Sequence, residues 1–198
     1  MPLIHVFDLG NVLLLYDYDI FYRRIKEHCR EQEAIRETVA ELYQRSGIGR
    51  GAQFEPFYQS IVRSLGLDMP LPEFRLAWSD IFSRNEPMLE VVRQAPRPRF
   101  LLSNTDAAHV AWIEQRFPEV FPLFDACVLS NQVGAEKPDP AVYRQVERLS
   151  GAPPEWHVFV DDMPPFVSGA RQLGWRAIQF TDVYDVVRQL ALLNAAVP

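Results

Sequence analysis

Cysteine is almost missing from this chain. Its 198 residues include only Cys29 and Cys127, far apart and each set in apolar or helical sequence. A disulfide framework and a cysteine-rich zinc site are therefore excluded, and a reducing cytoplasm is the expected compartment. No apolar run approaches the roughly 20 residues that a membrane-spanning helix needs. The first residues, Met1 to Asp8, have no basic stretch and meet an acid at once, which is not the pattern of a signal peptide. Excess positive charge is absent too: 20 Lys+Arg against 26 Asp+Glu leave a formal charge of −6. Nothing draws the chain as a whole toward nucleic acid or an anionic membrane. Internal repeats and low-complexity segments are also lacking.

What remains is an ordinary globular composition, with 48% hydrophobic, 12% aromatic and 23% charged residues. At roughly 150 residues per domain the length implies one domain, or one with a small insertion. Short apolar runs of strand length recur at Leu3–Phe7, Phe100–Leu102, Ala126–Leu129, Val158–Val160 and Ala177–Phe180. Their wholly apolar centres suit parallel strands covered on both faces. Helical patterns follow most of them. Thr105 or Asp106 caps one, Asp139-Pro140 opens another that ends at Gly151, a third closes at Gly174, and Asp182 opens the last. This alternation predicts an α/β fold with a doubly wound, mainly parallel, Rossmann-like sheet.

Residues 15–85 break the rhythm. They show no clear strand but several amphipathic stretches. One is Phe54, Phe57, Tyr58, Ile61, Val62, Leu65, closing at Gly66; another is Phe74, Trp78, Ile81, Phe82 after Pro72. The expectation is a small all-helical cap over 15–85, inserted into a core of residues 1–14 and 86–198. Its aromatics are read as core packing.

Open α/β sheets bind ligands beyond the carboxyl ends of their strands. The residues there are Asp8, then Ser103-Asn104-Thr105, then Lys137, then Asp161-Asp162. Singly, each has a plain explanation as a cap, a turn or a solvated loop. Together they bring three carboxylates, a hydroxyl and an ammonium to one crevice. Carboxylates that close repel unless a cation joins them, and all-oxygen ligands suit Mg²⁺. A hydroxyl, helix-start N–H groups and a lysine make a phosphate receptor. An Asp nucleophile beside Mg²⁺ and such a receptor amounts to phosphoryl transfer through an aspartyl-phosphate.

The stretches Phe7-Asp8-Leu9-Gly10-Asn11-Val12-Leu13, Leu101-Leu102-Ser103-Asn104-Thr105, Glu136-Lys137-Pro138-Asp139-Pro140 and Val158-Phe159-Val160-Asp161-Asp162 resemble the four ordered motifs of the haloacid dehalogenase superfamily. The resemblance spans essentially the whole chain, cap included. In wording it is similar to bacterial sugar-phosphate phosphatases and to the phosphatase domain of soluble epoxide hydrolases. It implies Asp8 as nucleophile and metal ligand, with Gly10 lending its carbonyl to Mg²⁺. Ser103 and the Asn104 backbone would hold phosphate, and Lys137 would neutralise Asp8 and the phosphoryl oxygens. Asp161 and Asp162 would complete the metal site, Asp162 more directly.

Two positions depart from the superfamily pattern. The general acid two residues after the nucleophile is replaced by Gly10, and an acid or amide of the fourth motif is replaced by Phe166, read as a core residue of its helix. A positioned general acid is worth about 10²–10⁴-fold, so its loss shapes which leaving groups are turned over. Weaker candidates are His109, near the phosphate loop but read first as an ordinary helix residue, and Arg50, in a glycine-flanked turn that reaches an anionic substrate or simply solvent. Tyr16, Asp17 and Tyr18 lie where core meets cap. The expected partner is a small phosphorylated metabolite, with neither nucleic acid nor membrane, and the protein a monomer or homodimer. The competing readings are a metal-free dehalogenase, which has no use for Asp161-Asp162, and a binding protein that has lost turnover. A receiver domain has its acid pair after the first strand, which is the wrong order for this chain.

Overall fold

A computed structural model describes residues 3–195. In chain order the elements are β1 (Ile4–Phe7), β2 (Leu14–Tyr16), α1 (Tyr18–Lys26), α2 (Ile35–Ser46), α3 (Phe54–Leu65), α4 (Leu71–Ser79), β3 (Phe82–Arg84), α5 (Glu86–Gln94), β4 (Arg99–Ser103), α6 (Ala107–Arg116), β5 (Ala126–Leu129), α7 (Ser130–Val133), α8 (Pro140–Ser150), β6 (His157–Asp161), α9 (Pro164–Gln172), β7 (Arg176–Gln179) and α10 (Val183–Ala195). Five strands form one parallel sheet in the order β5-β4-β1-β6-β7. The strand runs read from the sequence are these five.

β1 sits at the centre, and its alternating side chains feed two cores. Phe7 joins one buried cluster with Leu101, Val158 and Val160, while Ile4 and Val6 join a second with Phe100, Leu102 and Phe159 on the opposite face. Phe7 pairs with Leu101 on one side and Val160 on the other. That register makes Asp8, Ser103 and Asp161 emerge along one edge of the sheet. The chain order leaves β1 by opposite sides to reach β4 and β6, so this edge is the crevice where such sheets bind ligands.

Helices α1–α4 carry a core of their own, with Phe21, Phe57, Phe74 and Trp78 buried and in edge or tilted ring contacts. The expectation of a wholly helical insertion is corrected in one respect. β2 and β3 pair antiparallel, Leu14 with Arg84 and Tyr16 with Phe82, as a ribbon where the insertion leaves and rejoins the core. Three-residue strands are too short for a two-residue period to show, and their partners lie far apart in sequence. For the same reason Ile81 and Phe82, read as part of a helix, lie beyond the end of α4 at Ser79.

Candidate active site

The carboxyl ends of β1, β4 and β6 and the segment after β5 deliver the polar groups of the crevice. Asp8 leaves β1 with its N–H on the Val160 carbonyl at 2.9 Å. Lys137 reaches back from beyond α7, its Nζ 2.7 Å from Asp8 Oδ1, 2.6 Å from Asp161 Oδ2 and 3.1 Å from the Leu102 carbonyl. Asp161 is fully engaged, since its Oδ1 accepts the Met163 N–H at 2.8 Å. Asp162 is half-buried, and its Oδ2 meets only the Asn11 amide at 3.4 Å. One carboxylate oxygen from each of Asp8, Asp161 and Asp162 lies within 4.8 Å of the others.

The electrostatics show what this cluster favours. Burial first, then the Asp161 carboxylate, push Asp8 up to about 7 against the pull of Lys137. Burial and Asp161 also raise Asp162 above the usual carboxylate range. Three carboxylates against one ammonium leave negative charge uncompensated in a poorly solvated place. A hard divalent cation removes that penalty, and all-oxygen donors suit Mg²⁺. The residues present fit the metal that the sequence implied.

The phosphate side is cross-braced. Asn104 Oδ1 accepts the Lys137 N–H at 2.7 Å and Nδ2 donates to the Lys137 carbonyl at 3.1 Å. Ser130 Oγ accepts the Thr105 N–H and donates to the Thr105 carbonyl. Ser103 is buried, and its hydroxyl makes only a 3.4 Å contact with the next carbonyl, leaving it available to a ligand.

Gly10 lines the same cavity as Asp8. A Cβ built on it falls 2.9 Å from the Tyr16 ring, so the aromatic side chain of β2 occupies the volume an acid here would need. The Tyr16 phenol is held above its ordinary value by burial first, then by Asp162 and Asp8.

The remaining candidates separate. Tyr16 and Tyr18 face the cavity, whereas Asp17 caps α1, accepting the Asp19 N–H at 2.8 Å. Arg50 lies on the wall of a second cavity of about 580 Å³, which shares Tyr18, Tyr43, Asn104 and Lys137 with the first, of about 240 Å³. There it pairs with Glu136 at 2.7 Å rather than pointing free at a ligand. His109 borders the Asp8 cavity, but both of its ring nitrogens are engaged. Nδ1 is 3.0 Å from Asp106 Oδ2 and Nε2 is 3.0 Å from the Trp78 carbonyl. Both partners only accept, so a ring protonated on both nitrogens satisfies them in full, and, against the effect of burial, Asp106 holds the ring above its ordinary value. It stacks on Trp78 with centroids 5.1 Å apart, and Trp78 Nε1 donates to Asp106 at 3.0 Å. This buried triad ties α4 of the insertion to α6 of the core.

Sequence reasoning passed over Asn11, Ser130 and Trp78 in these roles. Asn11 had a local signal, as an Asn after Gly is suited to its left-handed φ of 55°. Ser130 and Trp78 had none, because their partners are distant in sequence.

Comparison with known proteins adds the following. The family model described as haloacid dehalogenase-like hydrolase matches residues 5–174. Bifunctional epoxide hydrolase 2 of Sus scrofa is 27% identical over 93% of this chain, which spans only 37% of that protein. The D-ribitol-5-phosphate phosphatase of Bacteroides thetaiotaomicron is 24% identical over 95% of this chain and 96% of its own length. A HAD family enzyme from the same organism, solved as a magnesium complex, superposes with a TM-score of 0.82 at 21% identity, covering 95% of this chain and 98% of that one. It has also been solved with magnesium and inorganic phosphate, where the TM-score is 0.79 at 21% identity, over 90% and 94% of the two chains.

Proposed function

The chain belongs to the haloacid dehalogenase-like hydrolases, and from that premise and the geometry above we propose that it is a Mg²⁺-dependent phosphatase acting on a small phosphomonoester, with Asp8 as nucleophile. The observation that carries the reading is the convergence of Asp8, Lys137, Asp161 and Asp162 beside the available Ser103 hydroxyl. The whole-length relationship to a sugar-alcohol phosphate phosphatase supports it, as does the Mg²⁺ and phosphate complex of a protein of the same fold.

Asp8, Asp162 and the Gly10 carbonyl would hold the metal, with Asp161, already engaged by Lys137 and the Met163 N–H, completing the site behind them. Bound there, Mg²⁺ would supply positive charge to the phosphoryl oxygens. Lys137 orients the Asp8 carboxylate and adds positive charge where negative charge accumulates. Asp8 Oδ forms a bond to phosphorus while the ester oxygen leaves with its electron pair and takes up a proton from solvent, no acid standing at Gly10. Water then attacks phosphorus and gives up a proton to solvent, the Asp8 oxygen–phosphorus bond breaks, and inorganic phosphate leaves with Asp8 restored. Ser103 and the Asn104 backbone would hold the phosphoryl group, and the organic part would extend into the adjoining cavity, walled by Tyr18, Tyr22, Tyr43 and Trp78. The cavity volumes suit a small metabolite. A metal-free dehalogenase mechanism leaves Asp162 without a role.

The test is phosphate release from a panel of small phosphoesters with and without Mg²⁺, beside a chloride-release assay on short haloacids. Asp8→Asn keeps the shape but is a poor nucleophile, and should lower kcat by at least about 10³-fold. Phosphate release by Asp8→Asn at the wild-type rate, or chloride release by the wild type, overturns the proposal.

A further inference from the structure

Lys137 has three ammonium hydrogens, and Asp8, Asp161 and the Leu102 carbonyl take all three. Its side chain is 1% exposed. Two aromatic rings cover the rest of the ammonium, with the centroids of Phe159 and Phe166 at 5.3 and 5.0 Å from Nζ. A cation within about 6 Å of a ring centroid is attracted to the negative face of the π-system, the more so when water is excluded.

The two rings are not equivalent. Phe159 is a fully buried core residue of β6, packed edge-on against Tyr143 and Trp175. Phe166 stands in the first turn of α9, is half-buried, and lines the cavity with Asp8, Ser103 and Asp162. Its ring therefore meets the ammonium at the wall of the same cavity that Lys137 itself lines. Phe166 serves no purpose as a metal ligand; it packs, as a core residue of its helix would, against the cluster that holds Phe159, but only partly buried, with the rest of its ring on the cavity wall. When the Asp8 oxygen bonds to phosphorus, Asp8 loses its charge and one of the two ion pairs that hold Lys137 weakens. The attraction of the ring does not change in that step.

We infer that Phe166 is a positioning residue for Lys137. Its ring face holds the ammonium between Asp8 and Asp161. The inference rests on the use of Lys137 in the phosphatase reaction proposed above.

The test places phenylalanines carrying one, two and three ring fluorines at position 166. Fluorination drains the π-face while largely preserving shape. The expected result is a stepwise fall in kcat with fluorine count, reaching roughly 5- to 30-fold, the size of a desolvated cation–π contact. KM and the thermal midpoint should stay near wild type. Phe166→Leu should lose as much as the trifluoro ring, and Phe166→Tyr should retain most of the rate. A flat series in an enzyme whose turnover is Mg²⁺-dependent and lost in Asp8→Asn overturns this inference and leaves the phosphatase reading standing. A rise in KM with kcat unchanged also overturns it.

If the wild type releases no phosphate, the phosphatase reading falls, and the contact is judged by a double-mutant cycle in urea unfolding. That cycle pairs trifluorophenylalanine at 166 with Lys137→Met. A coupling that shifts the unfolding equilibrium at least about 5-fold upholds the contact, and additive effects refute it.

Discussion

Asp106→Asn should loosen the inserted helices from the sheet domain, and the structure sets the size of the effect. Asp106 is 1% exposed and accepts four bonds: the Ala108 and His109 N–H groups on Oδ1, and Trp78 Nε1 and His109 Nδ1 on Oδ2. An asparagine keeps its oxygen for the two backbone donors, so its NH₂ group faces two further donors. The His109 imidazolium loses its counter-charge as well. Breaking a buried ion pair from one side costs about 3–5 kcal/mol.

The pH dependence follows from the two shifts. Burial alone would lower His109, but Asp106 outweighs it and holds the ring above its ordinary value. Its contribution is complete below the unfolded value of roughly 6.5 and is lost as pH rises through the folded one. Burial alone would raise Asp106, but His109 outweighs it and holds the carboxyl below its ordinary value. That contribution is complete above roughly pH 3.9 and fades as pH falls through the lowered folded value. Urea unfolding of wild type and variant at pH 6 and pH 9 measures this. The gap should be about 3–5 kcal/mol at pH 6 and clearly smaller at pH 9. A gap under about 1 kcal/mol at pH 6, or an equal gap at both pH values, refutes the imidazolium assignment.

Three further outcomes are expected. Asp162→Asn should weaken Mg²⁺ activation by about 10-fold or more, read from activity against free Mg²⁺, because Asp162 is the carboxylate with least protein engagement. Across phosphoesters of graded leaving-group pKa, wild-type kcat should fall as that pKa rises. Gly10→Asp alone should fail against the Tyr16 ring, whereas the same change with Tyr16→Ala should raise kcat most for the poorest leaving groups, by about 10-fold or more. Gly51→Ala should destabilise by roughly 1–3 kcal/mol in chemical unfolding, since Gly51 has φ of +92° and a Cβ would lie 2.5 Å from the Asn131 carbonyl oxygen.

The core and its strand ends were legible because their causes are local. An apolar run such as Val158–Val160 states its own burial, and an Asp directly after it must lie at the carboxyl end of a strand. Asp139-Pro140 opens a helix by the chemistry of two adjacent residues, and α8 begins there. The insertion was legible as helices for the same reason, through the three- and four-residue spacing of α3. Its ribbon was not, since Leu14–Tyr16 gains strand character only from a partner at Phe82–Arg84.

The sequence by itself determined which chemical groups stand at the sheet edge: Asp8, Ser103, Lys137, Asp161 and Asp162. Order along the chain and strand polarity are enough to put them there. Tertiary structure decided what each side chain faces. It pairs Arg50 with Glu136, engages both nitrogens of His109, fills the space beside Gly10 with Tyr16, and lays Phe166 against Lys137. Arg50 and Glu136 are 86 residues apart and His109 and Trp78 31 apart, and Phe166 and Lys137 lie in different segments. Even the short span from Gly10 to Tyr16 closes only because β2 turns back on it. The physical reason is range. Strand and cap signals act over a few residues, whereas burial, ion pairing and ring contact depend on neighbours that only the packed sheet and its docked helices bring together.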